Sequence, residues 1–265
     1  MTETILMIHG MWCGGWCWQK YKDFFEEKGY NCICPTLRFH DIDPKGLPDP
    51  RLGTTSLLDY VEDLEEVIQE LGVPPIIMGH SMGGLLAQIL GSRGLAKVLI
   101  LLAPASPHGI IALRPSVIRS FWSSLTKWGF WRKPMRQTFG EAVYSTMQLL
   151  TAEEQKRLYG RYVYESGRAA SEIGFWFLDP KGAAKVDESK VACPVLVVAG
   201  TKDRITPALI GQKVADKYKA VSTYQEFTNH AHWVILEPGW QEIVEYVYDW
   251  LSQWWPPGSV EPRPP

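Results

Sequence analysis

Hydrophobic and polar positions along this chain form two kinds of stretch that follow one another. Short runs rich in apolar residues predict strands, most of them buried on both faces as in a parallel sheet, at 4–8, 30–34, 74–78, 97–102, 194–200 and 222–227. Longer stretches with apolar residues at helical spacing predict helices at 18–28, 54–71, 85–92, 207–218 and 240–254. Strands that alternate with helices of this length predict an α/β fold with a mostly parallel, doubly wound sheet.

The alternation stops between residues 104 and 191, where the pattern is helical and aromatic. The rings of this stretch are Phe121, Trp122, Trp128, Phe130, Trp131, Phe139, Tyr144, Tyr159, Tyr162, Tyr164, Phe175, Trp176 and Phe177. We predict that 104–191 is a helical cap inserted after the strand that follows the 85–92 helix, on a core formed by 1–103 and 192–255. Such a cap is expected to cover the carboxyl ends of the strands, where α/β folds bind ligands, and to enclose an apolar pocket.

Four aromatic residues are candidates for the lining of that pocket. Trp122 and Phe177 come from the predicted cap, Trp12 from the loop after the first strand, and Trp233 from the loop after the last strand. Beyond the core, residues 256–265 contain five prolines and are predicted to be disordered.

The strand at 74–78 runs directly into Gly79-His80-Ser81-Met82-Gly83 and then into a helix. A strand, a sharp turn and a helix around G-x-S-x-G form the nucleophile elbow, which exposes the serine hydroxyl above the sheet. Glycines at the flanking positions allow strand and helix to approach closely enough for this turn. Ser81 is therefore the candidate nucleophile, and the Met82 amide at the positive end of the helix is a candidate oxyanion donor.

A serine hydroxyl needs a base, and the base needs an orienting carboxylate. In this fold the acid follows the serine along the chain and the histidine comes last. Asp203 lies just past the 194–200 strand, whereas Asp179 and Asp187 fall in the predicted cap and Glu226 within a strand. Two histidines come late enough, and we favour His232 over His230 for its reach and for the aromatic residue after it.

The second oxyanion donor is expected from the loop after the first strand, and we predict the amide of Met11. His9, two residues earlier, is expected to shape that loop through hydrogen bonds. Each fixed amide contributes roughly 3 kcal/mol toward stabilising a tetrahedral oxyanion.

Composition narrows the list of partners. The net charge is −2 and the pI about 6.3, so we expect neither nucleic acid nor an anionic membrane as a partner. No apolar run is long enough to span a bilayer, and no signal-peptide pattern opens the chain. The five cysteines are odd in number and poorly spaced for a disulfide framework, so we expect reduced thiols and a cytoplasmic protein. Oligomeric state is left open.

These residues together resemble the α/β-hydrolase superfamily over nearly the whole chain. The elbow around Ser81 and the order Asp203 then His232 carry the resemblance, and the opening loop His9-Gly10 with Gly15-Trp16-x-Trp18 is similar to the small esterase and plant methyl-esterase/hydroxynitrile-lyase branch. The resemblance implies a helical lid, acyl-enzyme chemistry, and neither metal nor cofactor. Lyases of that branch carry a lysine right after the catalytic histidine, where this chain has Trp233, so lyase activity is not expected.

The predicted function is that of a serine hydrolase of the carboxylesterase or lipase-like type, acting on a small, apolar, uncharged ester. Thioesterase, lactonase, C–C hydrolase and cofactor-free peroxidase activities would use the same residues and remain open. A ligand-binding receptor on a hydrolase scaffold is the alternative from a different class. Turnover of p-nitrophenyl esters separates enzyme from receptor.

Overall fold

Six parallel strands form the central sheet of the structure, a computed structural model that describes residues 2–255. Their bounds are β1 Thr4–Ile8, β2 Asn31–Ile33, β3 Ile76–His80, β4 Val98–Leu102, β7 Val195–Gly200 and β8 Ser222–Phe227, and their order across the sheet is β2-β1-β3-β4-β7-β8. Every neighbouring pair in this sheet is parallel. The chain therefore starts near one edge, and β3, which leads to Ser81, lies in the interior of the sheet.

Helices cover both faces of the sheet. They are α1 Gln19–Glu27, α2 Leu57–Leu71, α3 Met82–Ser92, α9 Ala208–Tyr218 and α10 Trp240–Trp254. Alternate strand residues point to opposite faces: Ile5 and Met7 share a hydrophobic cluster with α1 and α10, whereas Leu6 and Ile8 share one with α2, α3 and α9. This arrangement confirms the predicted α/β architecture with a doubly wound sheet.

The inserted segment, which we define as residues 104–191, connects β4 to β7. Its helices are α4 Pro115–Ser120, α5 Trp122–Leu125, α6 Phe139–Ser145, α7 Ala152–Tyr159 and α8 Gly167–Gly174, and β5 Pro134–Met135 pairs antiparallel with β6 Glu165–Ser166. The boundaries predicted for cap and core remain a prediction. The predicted disordered tail, 256–265, lies outside the described residues.

Buried polar contacts fasten the inserted segment to helix α2. Ser56 caps this helix in a capping box with Asp59, as its sequence suggests. The carboxylate of Glu172, from α8, accepts hydrogen bonds from the Ser56 hydroxyl at 2.9 Å and from the Leu57 amide at 2.8 Å. The hydroxyl of Ser166 donates to the Thr55 carbonyl at 2.6 Å. Anionic Glu172 thus sits at the positive end of α2, where it is stabilised.

Between residues 2 and 255, no helix is both long enough and apolar enough to cross a bilayer. All five cysteines are free.

Candidate active site

Ser81 occupies the tight turn between β3 and α3. Its backbone has φ 54° and ψ −120°, a conformation that residues other than glycine rarely adopt. The conformation is held by neighbours: the Ser81 amide donates to Leu102 O at 3.1 Å, and the Ser81 carbonyl accepts from the amide of Ala105 at 2.8 Å. A Cβ at Gly79 would overlap the Gly83 carbonyl, and one at Gly83 would overlap the Ile8 carbonyl. Both glycines of the motif are therefore required by close backbone packing.

The structure brings Ser81, Asp203 and His232 together from three separate parts of the chain. Nε2 of His232 lies 2.9 Å from the Ser81 hydroxyl oxygen, and Nδ1 of His232 lies 2.8 Å from Oδ2 of Asp203. All three side chains are buried. An ionised carboxylate only accepts hydrogen bonds, so Nδ1 carries a proton and Nε2 of the neutral ring is left to accept from the serine. This is the tautomer that a general base requires.

Asp203 is held as a carboxylate by a full set of donors. Its Oδ1 accepts from the amides of Ile205 at 2.7 Å and Thr206 at 2.8 Å, and its Oδ2 lies 2.8 Å from the Thr206 hydroxyl. Burial by itself would raise the pKa of Asp203, but the electrostatic interaction with the imidazole of His232 and these hydrogen bonds outweigh burial and lower the pKa below its ordinary 3.8. Asp203 therefore stays ionised beside the imidazole.

Two further histidines hold the loop that carries His232. Nε2 of His80 lies 2.8 Å from the His232 carbonyl and donates to it. Burial, followed by the proximity of the His232 imidazole, lowers the pKa of His80 to about 3, so the His80 ring is neutral. His230 turns away from Ser81, and its Nδ1 lies 2.9 Å from Oε1 of buried Glu237. The histidine beside the serine is thus His232 and not His230.

His9 fixes the loop after β1. Its Nε2 accepts from the Leu37 amide at 3.0 Å, so Nδ1 carries the proton and donates to the Gly10 carbonyl at 2.8 Å. Burial lowers the pKa of His9 to about 3, which keeps the ring neutral. The loop lies against the elbow, because a Cβ at Gly10 would come within 2.9 Å of the Ser81 Cβ.

The two amides predicted to bind an oxyanion belong to residues that border Ser81. Met11 and Met82 both line the same cavity as the serine. Among the described residues, neither of their amides donates a hydrogen bond to another protein group. Both donors are thus available to a ligand oxygen.

A cavity of about 90 Å³ opens onto Ser81. Its walls come from the elbow, the loop after β1 and the inserted segment, and they include Met11, Trp12, Val117, Phe121, Met135 and Ile173. Its polar side chains are hydroxyls and the indole of Trp12, and none of the described lining residues is charged. The space beside the serine therefore suits an uncharged, apolar group.

Of the four aromatics predicted to line the pocket, the structure places one there. Trp12 borders the cavity. Trp122 is 60% exposed and Phe177 is 53% exposed, and their neighbours Phe121 and Phe175 line the cavity instead. Trp233 is buried against Tyr162 and Trp16, away from the cavity lining. The placement of Trp122, Phe177 and Trp233 is thus corrected. Trp122 and Phe177 lie in helical turns, where neighbouring residues point in different directions, and Trp233 packs against other aromatic rings.

Sequence reasoning missed the partners that orient the three central residues. Thr206 supports Asp203, and its signal is the hydroxyl three residues after an aspartate at the start of a helix. The role of His80 has no signal in the sequence, since its acceptor lies about 150 residues away.

Known proteins share sequence and fold with this chain. Residues 5–245 match the Alpha/beta hydrolase family. "Methylesterase 9" of Arabidopsis thaliana is 26% identical over 125 residues, which are 46% of this chain and 47% of that protein. The matched stretch thus spans less than half of that relative.

Solved structures share the fold. A Paleococcus ferrophilus monoacylglycerol lipase superimposes with a TM-score of 0.69 at 21% identity, covering 94% of this chain and 95% of the other. A methylesterase from Arabidopsis gives a TM-score of 0.69 at 13% identity, covering 95% and 99%. On the family match across most of its length, the chain belongs to the α/β-hydrolase family.

Proposed function

We propose that this chain is a serine hydrolase that cleaves carboxylic esters of small, apolar, uncharged molecules through an acyl-enzyme intermediate. One observation carries the proposal: the Ser81 hydroxyl lies 2.9 Å from an imidazole nitrogen whose other nitrogen is paired with a buried carboxylate. A base in this tautomer and at this distance can take the serine proton as the hydroxyl attacks a carbonyl. The names of the methylesterase relatives support an ester as substrate.

The reaction would proceed in two halves. Ser81 Oγ attacks the ester carbonyl and its proton passes to Nε2 of His232, while Asp203 stabilises the imidazolium. The amides of Met11 and Met82 bind the developing oxyanion. The alcohol leaves with the proton from Nε2, and a water molecule activated by His232 then releases the acid and restores the serine.

The lining of the cavity supports the proposed substrate class. Its apolar walls favour a hydrocarbon-like acyl or alcohol group, and its uncharged lining gives no counterion to a charged one. The inserted segment supplies Val117, Phe121 and Ile173 to these walls, so we propose that it acts as the lid that keeps water from the acyl-enzyme.

Hydrolysis of p-nitrophenyl esters of increasing chain length tests the proposal. Short and medium esters are expected to turn over, and Ser81→Ala is expected to lower kcat/KM by about 10⁴-fold or more. Ser92→Ala, at the other end of helix α3, is the matched control and should keep the parent rate, since its hydroxyl bonds only the Ile89 carbonyl. Tight binding of these esters without release of nitrophenol would indicate a receptor and overturn the proposal.

A further inference from the structure

Several large apolar side chains of the inserted segment face solvent. Trp128 is 86% exposed, Leu178 72% and Phe177 53%, and Trp131 is also exposed. We call these four residues the aromatic patch. Taking 150–250 Å² for a large side chain, they present on the order of 500 Å² of apolar surface, as much as the largest patches on soluble monomers. Because the largest apolar patch on a soluble monomer is often functional, this patch is a candidate binding surface.

The aromatic patch is continuous with the walls of the Ser81 cavity. Ring centroids of Trp131 and Phe130 are 5.5 Å apart, those of Phe130 and Phe175 6.2 Å, and those of Phe175 and Phe177 6.3 Å. Phe130 and Phe175 both line the cavity. Whatever covers the patch therefore lies next to the walls of the cavity that opens onto Ser81.

Charge is distributed very unevenly between the inserted segment and the rest of the chain. Residues 104–191 hold 13 Lys and Arg against 8 Asp and Glu, a net charge of +5, whereas the remaining residues hold 14 against 21, a net charge of −7. Residues 104–140 contain six cations and no acid: Arg114, Arg119, Lys127, Arg132, Lys133 and Arg136. The net charge of −2 for the whole chain, which by itself predicts no binding to an anionic membrane, conceals this basic region.

The cations around the aromatic patch decide between two possible occupants. Lys127, Arg132 and Lys133 are exposed. They lie within two residues of Trp128 or Trp131 along the chain. A second copy of the chain docked by the same face would place cations against cations, because a two-fold interface brings the same patch together from both subunits. A bilayer with anionic headgroups instead accepts tryptophan rings at its interface and attracts lysine and arginine.

We propose that the aromatic patch and the adjoining cations bind this protein to the surface of anionic lipid bilayers. The rings would enter the headgroup region, the cations would pair with lipid phosphates, and the mouth of the Ser81 cavity would face the membrane. Apolar esters dissolved in the bilayer could then enter the cavity along Phe130 and Phe175. The docking itself does not require hydrolysis, so it can be tested separately from the proposed function.

Sedimentation with lipid vesicles tests the proposal on the full chain carrying Ser81→Ala, which removes turnover. We expect binding to vesicles of phosphatidylcholine mixed with phosphatidylglycerol, and binding about tenfold weaker to phosphatidylcholine alone. Trp128→Ser combined with Leu178→Ser should weaken binding to both by about tenfold or more. Lys127→Glu combined with Arg132→Glu should abolish only the preference for the anionic lipid.

Matched control residues lie on the surface outside the inserted segment. Leu47 is 91% exposed, and Lys45 and Lys213 are exposed as well. Leu47→Ser removes an exposed apolar side chain, and Lys45→Glu combined with Lys213→Glu makes the same change in net charge; all should bind vesicles as Ser81→Ala does. Thermal unfolding of every variant confirms that it is folded. Absence of binding, equal loss in the controls, or a dimer in gel filtration that only the Trp128 and Leu178 changes dissociate would overturn the proposal.

Discussion

His80 lies next to the proposed nucleophile, but its ring hydrogen-bonds to the main chain of His232. Its Nε2 proton is donated to the backbone carbonyl of His232 at 2.8 Å, and the ring is buried and neutral. Nδ1 of the ring has no hydrogen-bond partner among the described residues, which agrees with Nε2 being the protonated nitrogen. His80 is therefore a positioning residue that fixes the main chain from which the imidazole of His232 projects.

Replacing His80 should slow catalysis without weakening substrate binding. His80→Leu leaves the His232 carbonyl buried without a donor, which costs about 1–3 kcal/mol. Without this hydrogen bond the main chain of His232 is less restrained, so its imidazole can move. We expect kcat to fall about tenfold with KM nearly unchanged. His80→Gln offers an amide donor near the position of Nε2 and should keep most of the rate. Equal losses in the two variants, measured by steady-state ester hydrolysis, would show that the hydrogen bond does not matter.

At the residue scale, the sequence predicts the residues whose order along the chain is fixed by the motif. It does not predict the placement of side chains that depends on packing against other elements. Ser81, Asp203 and His232 follow from an elbow, a strand end and a late loop, and the structure brings them together. Trp122 and Phe177 could not be placed, because a run of aromatics shows only that some rings are buried. Which ring faces the cavity depends on the elements packed against it.

The nucleophile elbow depends on two close approaches of backbone to backbone. Gly83 of α3 lies against the Ile8 carbonyl of β1, so Gly83→Ala forces main-chain atoms apart. We expect this variant to be strongly destabilised or insoluble. Gly140→Ala is the matched control, because Gly140 also lies in a helix, α6, but has open space at the Cβ position. It should gain up to about 1 kcal/mol from helix propensity in urea unfolding. A Gly83→Ala protein as stable as the parent would contradict the packing.

Glu172 joins helix α8 of the inserted segment to the start of α2. Its carboxylate accepts from Ser56 and Leu57 and pairs with Arg168 at 2.7 Å. Glu172→Ala strands these buried donors, so we expect a loss of about 2 kcal/mol in urea unfolding and faster proteolysis within 104–191. Glu153→Ala, on the exposed face of α7, is the control and should change neither measurement. An unchanged Glu172→Ala protein would show that this contact does not hold the segment.

Elements with a strong pattern were predicted almost to the residue. Strands β1 and β8 and helix α10 end where the sequence placed their ends. Helix α3 starts at Met82, three residues before the predicted start at 85, because Gly83 and Gly84 carry no apolar pattern. The two-stranded pair β5–β6 was not predicted, since each strand has two residues and its partner lies about 30 residues away.

At the scale of the whole molecule, a buried ion pair joins the inserted segment to the core. Nδ1 of His40 lies 3.0 Å from the Arg38 carbonyl and Nε2 lies 3.0 Å from Oε2 of Glu165, in β6. Both partners accept hydrogen bonds, so both ring nitrogens carry protons and the imidazole is charged. Burial opposes that charge, but Glu165 and the hydrogen bonds raise the pKa of His40 above its ordinary 6.5. Burial likewise opposes charge on Glu165, and the charge of His40 outweighs it and lowers the carboxyl pKa.

These shifts define a pH window for stability. Because the pKa of His40 is raised, its contribution is complete below 6.5 and is lost as the pH rises through the higher pKa of the folded state. Because the pKa of Glu165 is lowered, its contribution is present above 4.5 and is lost as the pH falls through the folded value. We expect the free energy of unfolding contributed by the pair to be greatest between these values and to decline on the alkaline side.

Unfolding in urea as a function of pH checks this prediction. His40→Gln should lose about 3 kcal/mol near neutral or lower pH, because Glu165 is left buried without a counterion. The alkaline decline of the parent should disappear in this variant. His40→Gln combined with Glu165→Gln restores a neutral pair and should recover part of the stability. A parent protein whose alkaline decline matches that of His40→Gln would contradict the ionised pair.

The overall architecture could be predicted because strands and helices alternate with clear periods, whereas the arrangement of residues 104–191 could not. Contacts such as Glu165 with His40 join residues 125 positions apart, and a lone histidine in a polar stretch gives no sign of its partner. The difference in charge between residues 104–191 and the rest of the chain can be counted from the sequence, but the net charge of the whole chain conceals it.

Covalent trapping tests whether the hydroxyl of Ser81 is the nucleophile. The full chain is treated with an apolar fluorophosphonate and the adduct is located by mass spectrometry of its peptides. We expect one phosphonyl group per chain, on Ser81, and none on the Ser81→Ala or His232→Ala proteins within the same time. A chain that hydrolyses esters while Ser81 remains unmodified, or a label on another residue that abolishes activity, would contradict it.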